Sequence, residues 1–230
     1  MNPGKLLVRV FWQSAIWLAF MAVLLFWPAG DWRWGEGWTF LAIFAAGSAL
    51  MCAWLIRRDP ALLAERMASP VQKEQAPWDR VFMIGTIIVW CGWLAFMGFD
   101  AGRLHRGQMP MWLEAVGGFL IVIGFGAIMP VFAANSYAAP VVRVQSERRQ
   151  HVIDTGPYAI VRHPMYAAAS LYVFGIPLLL GSRWGLIGSV LIMAAIAFRA
   201  TKEEQTLKDG LAGYADYMTR VRYRLVPYVW

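Results

Sequence analysis

Long uncharged stretches alternate with short charged segments along the chain, and this pattern defines the predicted elements. Six apolar stretches occur, at residues 10–27, 38–56, 81–99, 115–134, 165–180 and 184–198. About 20 apolar residues in a helix cross the roughly 30 Å hydrocarbon core of a bilayer. The pattern therefore predicts an all-α integral membrane protein with about six transmembrane helices. The last two stretches are short and are separated only by Gly181, Ser182 and Arg183, which predicts a helical hairpin.

The distribution of basic residues predicts the orientation of these helices. With the amino terminus placed in the cytoplasm, 17 of the 21 Lys and Arg residues fall on the cytoplasmic side and 4 on the opposite side. This bias follows the positive-inside rule and predicts that both ends of the chain are cytoplasmic. Topology thus accounts for the net charge of +7, which gives no indication of nucleic-acid binding.

Composition agrees with a membrane protein and narrows the possible chemistry. The chain is 59% hydrophobic and only 15% charged, whereas about a quarter of residues are charged in typical soluble proteins. Cys52 and Cys91 both lie inside apolar stretches, where a free buried thiol is the usual state. The three histidines are far apart in the sequence, so we expect no metal site.

Glycines recur in the third and fourth apolar stretches. Small residues at such positions allow neighbouring helices to approach closely in a membrane. We therefore expect tight helix contacts at some of these positions, which are Gly85, Gly92, Gly98, Gly117, Gly118, Gly124 and Gly126.

Residues 156–166 contain the most distinctive motif of the chain, a turn that leads into a helix. Pro164 suits the first position of a helix, so Arg162 and His163 are predicted to lie just before a helix N-terminus. The free N–H groups and the positive dipole at such a site favour an anion. The alternative is that Arg162 and His163 only anchor the helix at the membrane interface.

The predicted hairpin brings a second group of polar residues to the same edge. Its antiparallel helices place His163 and Arg199 at one end, and Arg199 and Glu203 are one helical turn apart. We expect Glu203 to orient Arg199. The alternative is an exposed ion pair that stabilises the helix end by only a few tenths of a kcal/mol.

Two further segments reach this edge. Residues 135–162 form a long connection without an apolar stretch, and connections of this length are usually functional or mobile. In the tail, Tyr214, Tyr217 and Val221 share one helical face. That face could lie in the membrane interface, or it could pack over the edge and close it.

The motifs together resemble the isoprenylcysteine carboxyl methyltransferase family, which is related to membrane phospholipid methyltransferases. The resemblance extends over residues 135–227 and rests on Gly156-Pro157-Tyr158, Arg162-His163-Pro164-Met165-Tyr166, Arg199 with Glu203-Glu204, Tyr214-Ala215-Asp216-Tyr217, Arg224 and Pro227. It divides the chain into an amino-terminal four-helix membrane scaffold, residues 1–134, and a methyltransferase-like region, residues 135–230. Ala168 stands where the family pattern has glycine, and residues 1–134 carry no recognisable signature.

The resemblance implies an integral membrane enzyme that binds S-adenosylmethionine at its cytoplasmic side and methylates a lipophilic acceptor. Arg199 and Glu203 would act at the reacting groups. The cofactor would contact Tyr158, Arg162, His163, Tyr166 and Glu204, and the acceptor would contact Asn135, Arg143 and Tyr217. The expected partners are the lipophilic or lipidated acceptor and membrane lipid, and the oligomeric state stays open.

The type of acceptor also stays open at this point. A prenylated cysteine, a small thiol, a phospholipid amine and an isoprenoid acid all fit, and an amine would require Glu203 or His163 as a base. An anionic acceptor would instead be oriented by Arg199, and the cofactor's carboxylate would bind at the helix N-terminus after His163. Two other functions are considered, a sterol-type reductase that uses NADPH and a non-enzymatic transporter or assembly protein.

Overall fold

The computed structural model describes residues 3–72, 74–105 and 109–230, apart from the side chains of Pro3 and Gly4. The described parts are helical and contain no strand. The helices are α1 (Pro3–Ala29), α2 (Gly35–Arg58), α3 (Pro60–Arg66), α4 (Pro77–Met97), α5 (Met111–Ala134), α6 (Pro164–Leu179), α7 (Gly185–Gly210) and α8 (Tyr214–Arg220). A π-helical segment, Gly98–Arg103, extends α4, and Ser146–Arg148 and Gly156–Ala159 form 3₁₀ turns.

Five helices are long and apolar enough to cross a membrane, namely α1, α2, α4 with its extension, α5 and α7. The sixth, α6, is apolar but has only 16 residues, or about 24 Å at 1.5 Å per residue. The predicted all-α membrane fold is confirmed, with five long helices and one short one. The hairpin is confirmed as well, because α6 and α7 are joined by a turn in which Gly181 has a φ of +71°.

Glycine allows close helix contacts at some of the expected positions. A Cβ atom on Gly117 of α5 would lie 2.7 Å from the carbonyl oxygen of Gly175 in α6 and would also clash with the backbone nitrogen of Leu179. Gly98 packs against the backbone of Leu25 in α1 in the same way. At Gly85, Gly92 and Gly126 no described atom lies within 4 Å of the place that a Cβ atom would occupy. The sequence pattern alone could not tell the glycines in close helix contacts from those without such contacts.

Helix α3 follows α2 after a single residue and turns the chain at the predicted cytoplasmic edge. The Asp59 carboxylate accepts a hydrogen bond of 2.9 Å from the backbone nitrogen of Leu62, which caps the helix. Leu62 and Leu63 are buried, and Pro60 occupies the first turn. The segment after α2 therefore forms a short capped helix with buried leucines.

The carboxyl-terminal segments extend the molecule beyond the hairpin. Helix α7 continues through residues 199–210, past the apolar stretch that ends at Phe198. Helix α8 folds back against it and buries Leu211, Tyr214, Tyr217 and Val221 against Val144, Val152 and Leu207. Of the two alternatives for the tail, the structure shows the one in which it packs over the edge.

Candidate active site

A cleft lies where the long connection, the start of α6, the extension of α7 and the tail meet. About 770 Å³ of space that no protein atom occupies lies in and around it, including open solvent. Eight of the ten predicted site residues line it, namely Asn135, Arg143, Tyr158, Arg162, His163, Tyr166, Glu203 and Tyr217. Arg199 and Glu204 lie behind its wall. Residues that are far apart in the sequence are thus brought to one place.

Glu204 is the centre of a buried ion-pair network at the base of the cleft. Its carboxylate accepts hydrogen bonds from Arg162 Nε at 2.7 Å and Arg224 Nε at 3.0 Å, and His163 Nε2 lies 3.2 Å away. Only 3% of Glu204 is exposed. Both oxygens are therefore used within the protein.

The Arg162 side chain also makes its hydrogen bonds to other groups of the protein. Its Nη1 donates to the carbonyl oxygens of Val221 and Arg222, at 2.7 and 2.8 Å. The backbone nitrogens of Arg162 and His163 donate to the carbonyl oxygens of Tyr223 and Arg224. The Arg162–Glu204 pair thus joins the tail to the start of α6, so its first role is to shape the cleft.

Tyr166 and Glu203 form the polar face of the cleft. The Tyr166 hydroxyl donates a 2.6 Å hydrogen bond to Glu203 Oε2, and the Tyr166 ring stacks on His163 with the ring centroids 5.4 Å apart. His163 Nδ1 lies 3.9 Å from the same Glu203 oxygen. Glu203 keeps 23% of its side chain exposed, so its carboxylate is within reach of a ligand.

The partner of Arg199 is Asp79, from the first turn of α4. Arg199 Nε donates to Asp79 Oδ1 at 2.9 Å, and Arg199 Nη2 donates to the carbonyl oxygen of Pro140 at 2.7 Å. Asp79 is fully buried and its other oxygen accepts from Gln75 Nε2 and the backbone nitrogen of Val142. The expectation that Glu203 orients Arg199 is wrong, because Glu203 faces the Tyr166 hydroxyl instead.

Arg199 retains one donor for a ligand. Its guanidinium lies over the Tyr166 ring, 5.8 Å from the centroid. Nη1 has no hydrogen-bond acceptor among the described residues, and it is not sealed inside the protein. A bound anion could therefore take this donor without breaking the pair with Asp79.

The three predicted acceptor-binding residues shape the cleft wall through internal contacts. Asn135 Nδ2 donates to the Tyr158 hydroxyl at 2.9 Å, and the Tyr217 hydroxyl donates to the Tyr158 carbonyl oxygen at 2.8 Å. Burial raises the pKa of both the Tyr158 and Tyr217 hydroxyls, so they stay protonated at neutral pH. Tyr217 also fixes α8 to the 3₁₀ turn that carries Tyr158.

Arg143 joins three segments around the mouth of the cleft. Its guanidinium pairs with Glu65 and Glu74, each at 3.2 Å, and with Glu147 at 2.7 Å. Its Nε is buried and has no hydrogen-bond acceptor among the described residues. This nitrogen is therefore an unsatisfied donor inside the protein and does not face the ligand space.

A comparison with protein families identifies the region that builds the cleft. Residues 112–211 match the phospholipid methyltransferase family. The match confirms the resemblance inferred from the motifs, and with the apolar helices it indicates a membrane methyltransferase. No curated protein matches the chain.

The family region, residues 112–211, covers α5, the long connection, α6, α7 and Leu211. It begins before the boundary at residue 135 that the motifs predicted, which agrees with the tight contact between α5 and α6. Asp79, Arg224 and α8 lie outside it and complete the site. Within the described residues, no three His, Cys, Asp or Glu side chains form a group that could hold a metal ion.

Asp79 is the main site residue that the sequence did not reveal. An isolated acidic residue in the first turn of an apolar helix, after Pro77, was the only available signal. Such a residue is common at helix starts because it interacts favourably with the helix dipole. Its pairing with Arg199 depends on how α4 packs against α7.

Proposed function

We propose that this protein is an S-adenosylmethionine-dependent methyltransferase that acts on a lipophilic acceptor at the cytoplasmic side of a membrane. The observation that carries the proposal is the cleft of the family region, in which the Tyr166–Glu203 pair faces the ligand space. The positive-inside bias supports a cytoplasmic location for this cleft.

The side chains that line the cleft suit the cofactor. S-adenosylmethionine carries an amino group, a carboxylate, an adenine and a sulfonium, and when bound it supplies an electrophilic methyl group. The exposed part of the Glu203 carboxylate suits a cationic group. Tyr137 and Tyr158 also line the cleft, and aromatic side chains suit an adenine or a cation.

The protein's own residues would act by positioning. Methyl transfer needs the acceptor to be aligned and desolvated, and such alignment can supply much of the acceleration. Arg199 does not line the cleft itself. Held by Asp79 and Pro140 against the Tyr166 ring, it would offer Nη1 to an anionic acceptor that extends past that ring. Tyr166 holds the Glu203 carboxylate in place through its hydroxyl. A carboxylate or thiolate acceptor, such as that of a prenylated or small lipophilic molecule, needs no strong base in this arrangement.

The two alternative functions differ in what they bind. The family match favours a methyltransferase over a sterol-type reductase. A reductase would bind NADPH in the cleft, and a transporter or assembly protein would bind neither nucleotide cofactor. Cofactor binding therefore separates the three possibilities.

The proposed activity can be tested with labelled S-adenosylmethionine and the protein in lipid nanodiscs. Farnesylcysteine and phosphatidylethanolamine offer a carboxylate and an amine acceptor, and we expect label in the former. Tyr166→Phe removes only the hydroxyl that fixes Glu203, so turnover should fall about tenfold. Tyr172→Phe is the matched control, since Tyr172 lies on the same helix and packs against Phe125.

Turnover of Tyr172→Phe should equal that of the unmodified protein. Transfer to phosphatidylethanolamine but not to farnesylcysteine would contradict the proposed acceptor class. Absence of transfer to either, together with binding of NADPH, would contradict the methyltransferase itself.

A further inference from the structure

Arg66, the last residue of α3, differs in its partners from three other arginines at the same end of the helices. Arg143, Arg162 and Arg199 each pair with at least one carboxylate. Arg66 forms no ion pair with any carboxylate in the part of the chain that the structure describes. Its contacts are the carbonyl oxygen of Ala138, at 2.8 Å from Nη1, the sulfur of Met165 and the face of the Phe132 ring.

An unpaired charge on Arg66 is energetically unfavourable because its surroundings are apolar. Phe132 of α5, Met165 of α6 and Cys52 and Leu55 of α2 belong to the apolar cluster at this end of the helices. A half-buried cation without a counter-ion loses hydration that one carbonyl and one aromatic ring only partly replace. Burial lowers the pKa of Arg66 to about 10, so the guanidinium is still charged at neutral pH.

The guanidinium keeps one complete edge free for a ligand. Both of its hydrogen bonds to described residues come from Nη1, and Nε and Nη2 have no acceptor in the part of the chain that the structure describes. Neither nitrogen is sealed inside the protein, in contrast to Arg143 Nε. Nε and Nη2 together form the planar fork that binds two oxygens of a phosphate or carboxylate at once.

The position of Arg66 indicates where such an oxyanion would come from. The residue lies just after the end of α2, at the edge of the predicted membrane, with apolar membrane helices around it. Arg57 and Arg58, in the last turn of α2, add positive charge at the same level. Anionic headgroups of the cytoplasmic leaflet are attracted to such a basic edge.

We infer that Arg66 binds the phosphate of an anionic membrane lipid through the Nε and Nη2 edge of its guanidinium. The acyl chains of the lipid would lie along the membrane helices beside it. The site is separate from the cleft, yet Ala138 and Met165 contact Arg66 and also line the cleft. A lipid bound there would thus stabilise the back wall of the cleft. The inference does not depend on methyl transfer.

Native mass spectrometry of the detergent-purified full chain can test the site. The probes are phosphatidylglycerol and phosphatidylcholine with the same acyl chains, and inorganic phosphate. The unmodified protein should retain phosphatidylglycerol in preference to phosphatidylcholine. Arg66→Gln should weaken phosphatidylglycerol binding about tenfold or more, because charge-assisted hydrogen bonds are lost. Arg66→Lys keeps the charge but not the fork, and should weaken it less.

Arg58→Gln is the matched control. Arg58 is exposed in the last turn of α2 and contacts only the Trp54 ring among the described residues. It adds only general charge to the basic edge, so Arg58→Gln should weaken phosphatidylglycerol binding much less than Arg66→Gln. Equal losses in the Arg58 and Arg66 variants would overturn the inference in favour of general attraction to a basic edge. Competition by millimolar inorganic phosphate would overturn it in favour of a free-anion site. If Arg66→Gln does not fold, folded Arg66→Lys takes its place. Unchanged phosphatidylglycerol affinity in Arg66→Lys, or a loss in Arg58→Gln as large as that in Arg66→Lys, would still overturn the inference.

Discussion

Glu204→Ala is expected to destabilise the end of the protein that carries the cleft by about 3–5 kcal/mol, because it removes one carboxylate from a buried network and leaves a charge uncompensated. Arg162 would remain buried without its counter-ion, and Arg224 would lose its contact with α7. Thermal unfolding in detergent, followed by near-ultraviolet circular dichroism, should show a much lower midpoint.

Gln205→Ala is the matched control for this change. Gln205 is the next residue of α7 and is exposed, and its side chain hydrogen-bonds to the exposed Asp209 side chain. Exposed surface changes of this kind usually alter stability by less than about 0.5 kcal/mol. Similar midpoints for the Glu204 and Gln205 variants would mean that the network does not hold the tail to α6.

Arg199→Lys is expected to lower turnover about 100-fold while it preserves most of the stability. Lysine keeps a positive charge beside Asp79 but lacks the planar fork, so it cannot contact Asp79, Pro140 and an acceptor at the same time. Loss of one oriented donor at a reacting anion commonly costs about 10²–10³ in kcat. The measurement is kcat and KM for methyl transfer, together with the unfolding midpoint.

Arg220→Lys serves as the control for the same chemical change. Arg220 lies in α8 and pairs with Asp154 at the surface, where an ion pair contributes little. Its turnover should be that of the unmodified protein. A wild-type rate in Arg199→Lys would show that Arg199 only holds α7 to the loop.

The membrane helices were predictable because their signal is local. An apolar stretch of 18 to 20 residues has few other structures available to it, and each stretch corresponds to a helix. The short length of α6 was also visible, since its apolar stretch begins at Met165 and the chain turns at Gly181. The orientation of the helices in the membrane stays a prediction.

The composition of the cleft was predictable in part. The hairpin geometry correctly placed His163 and Glu203 at one edge, and the motif that precedes Pro164 supplied Arg162. The partners of these residues were not predictable from spacing. The i, i+4 rule paired Arg199 with Glu203, whereas tertiary packing pairs Arg199 with Asp79, 120 positions away.

The roles predicted for Arg162 and Glu204 illustrate the same limit. As motif residues they suggested direct contact with a cofactor. The structure shows them bound to each other and to the tail, including carbonyl oxygens at Val221 and Arg222. Backbone acceptors carry no sequence signal, so a network that depends on them emerges only from the fold. Contact of either residue with a cofactor stays a prediction.

Calorimetric titration of the purified protein with S-adenosylhomocysteine, with NADPH as the competing ligand, tests whether the cleft is a methyltransferase site. We expect saturable binding at one site per chain. It should be weakened in Glu203→Gln, which alters the cleft, and retained in Glu147→Gln, which alters an exposed residue at its mouth. NADPH should give no saturable heat. Binding of NADPH, or no binding of S-adenosylhomocysteine to protein shown to be folded, would contradict the assignment of the cleft as a methyltransferase site.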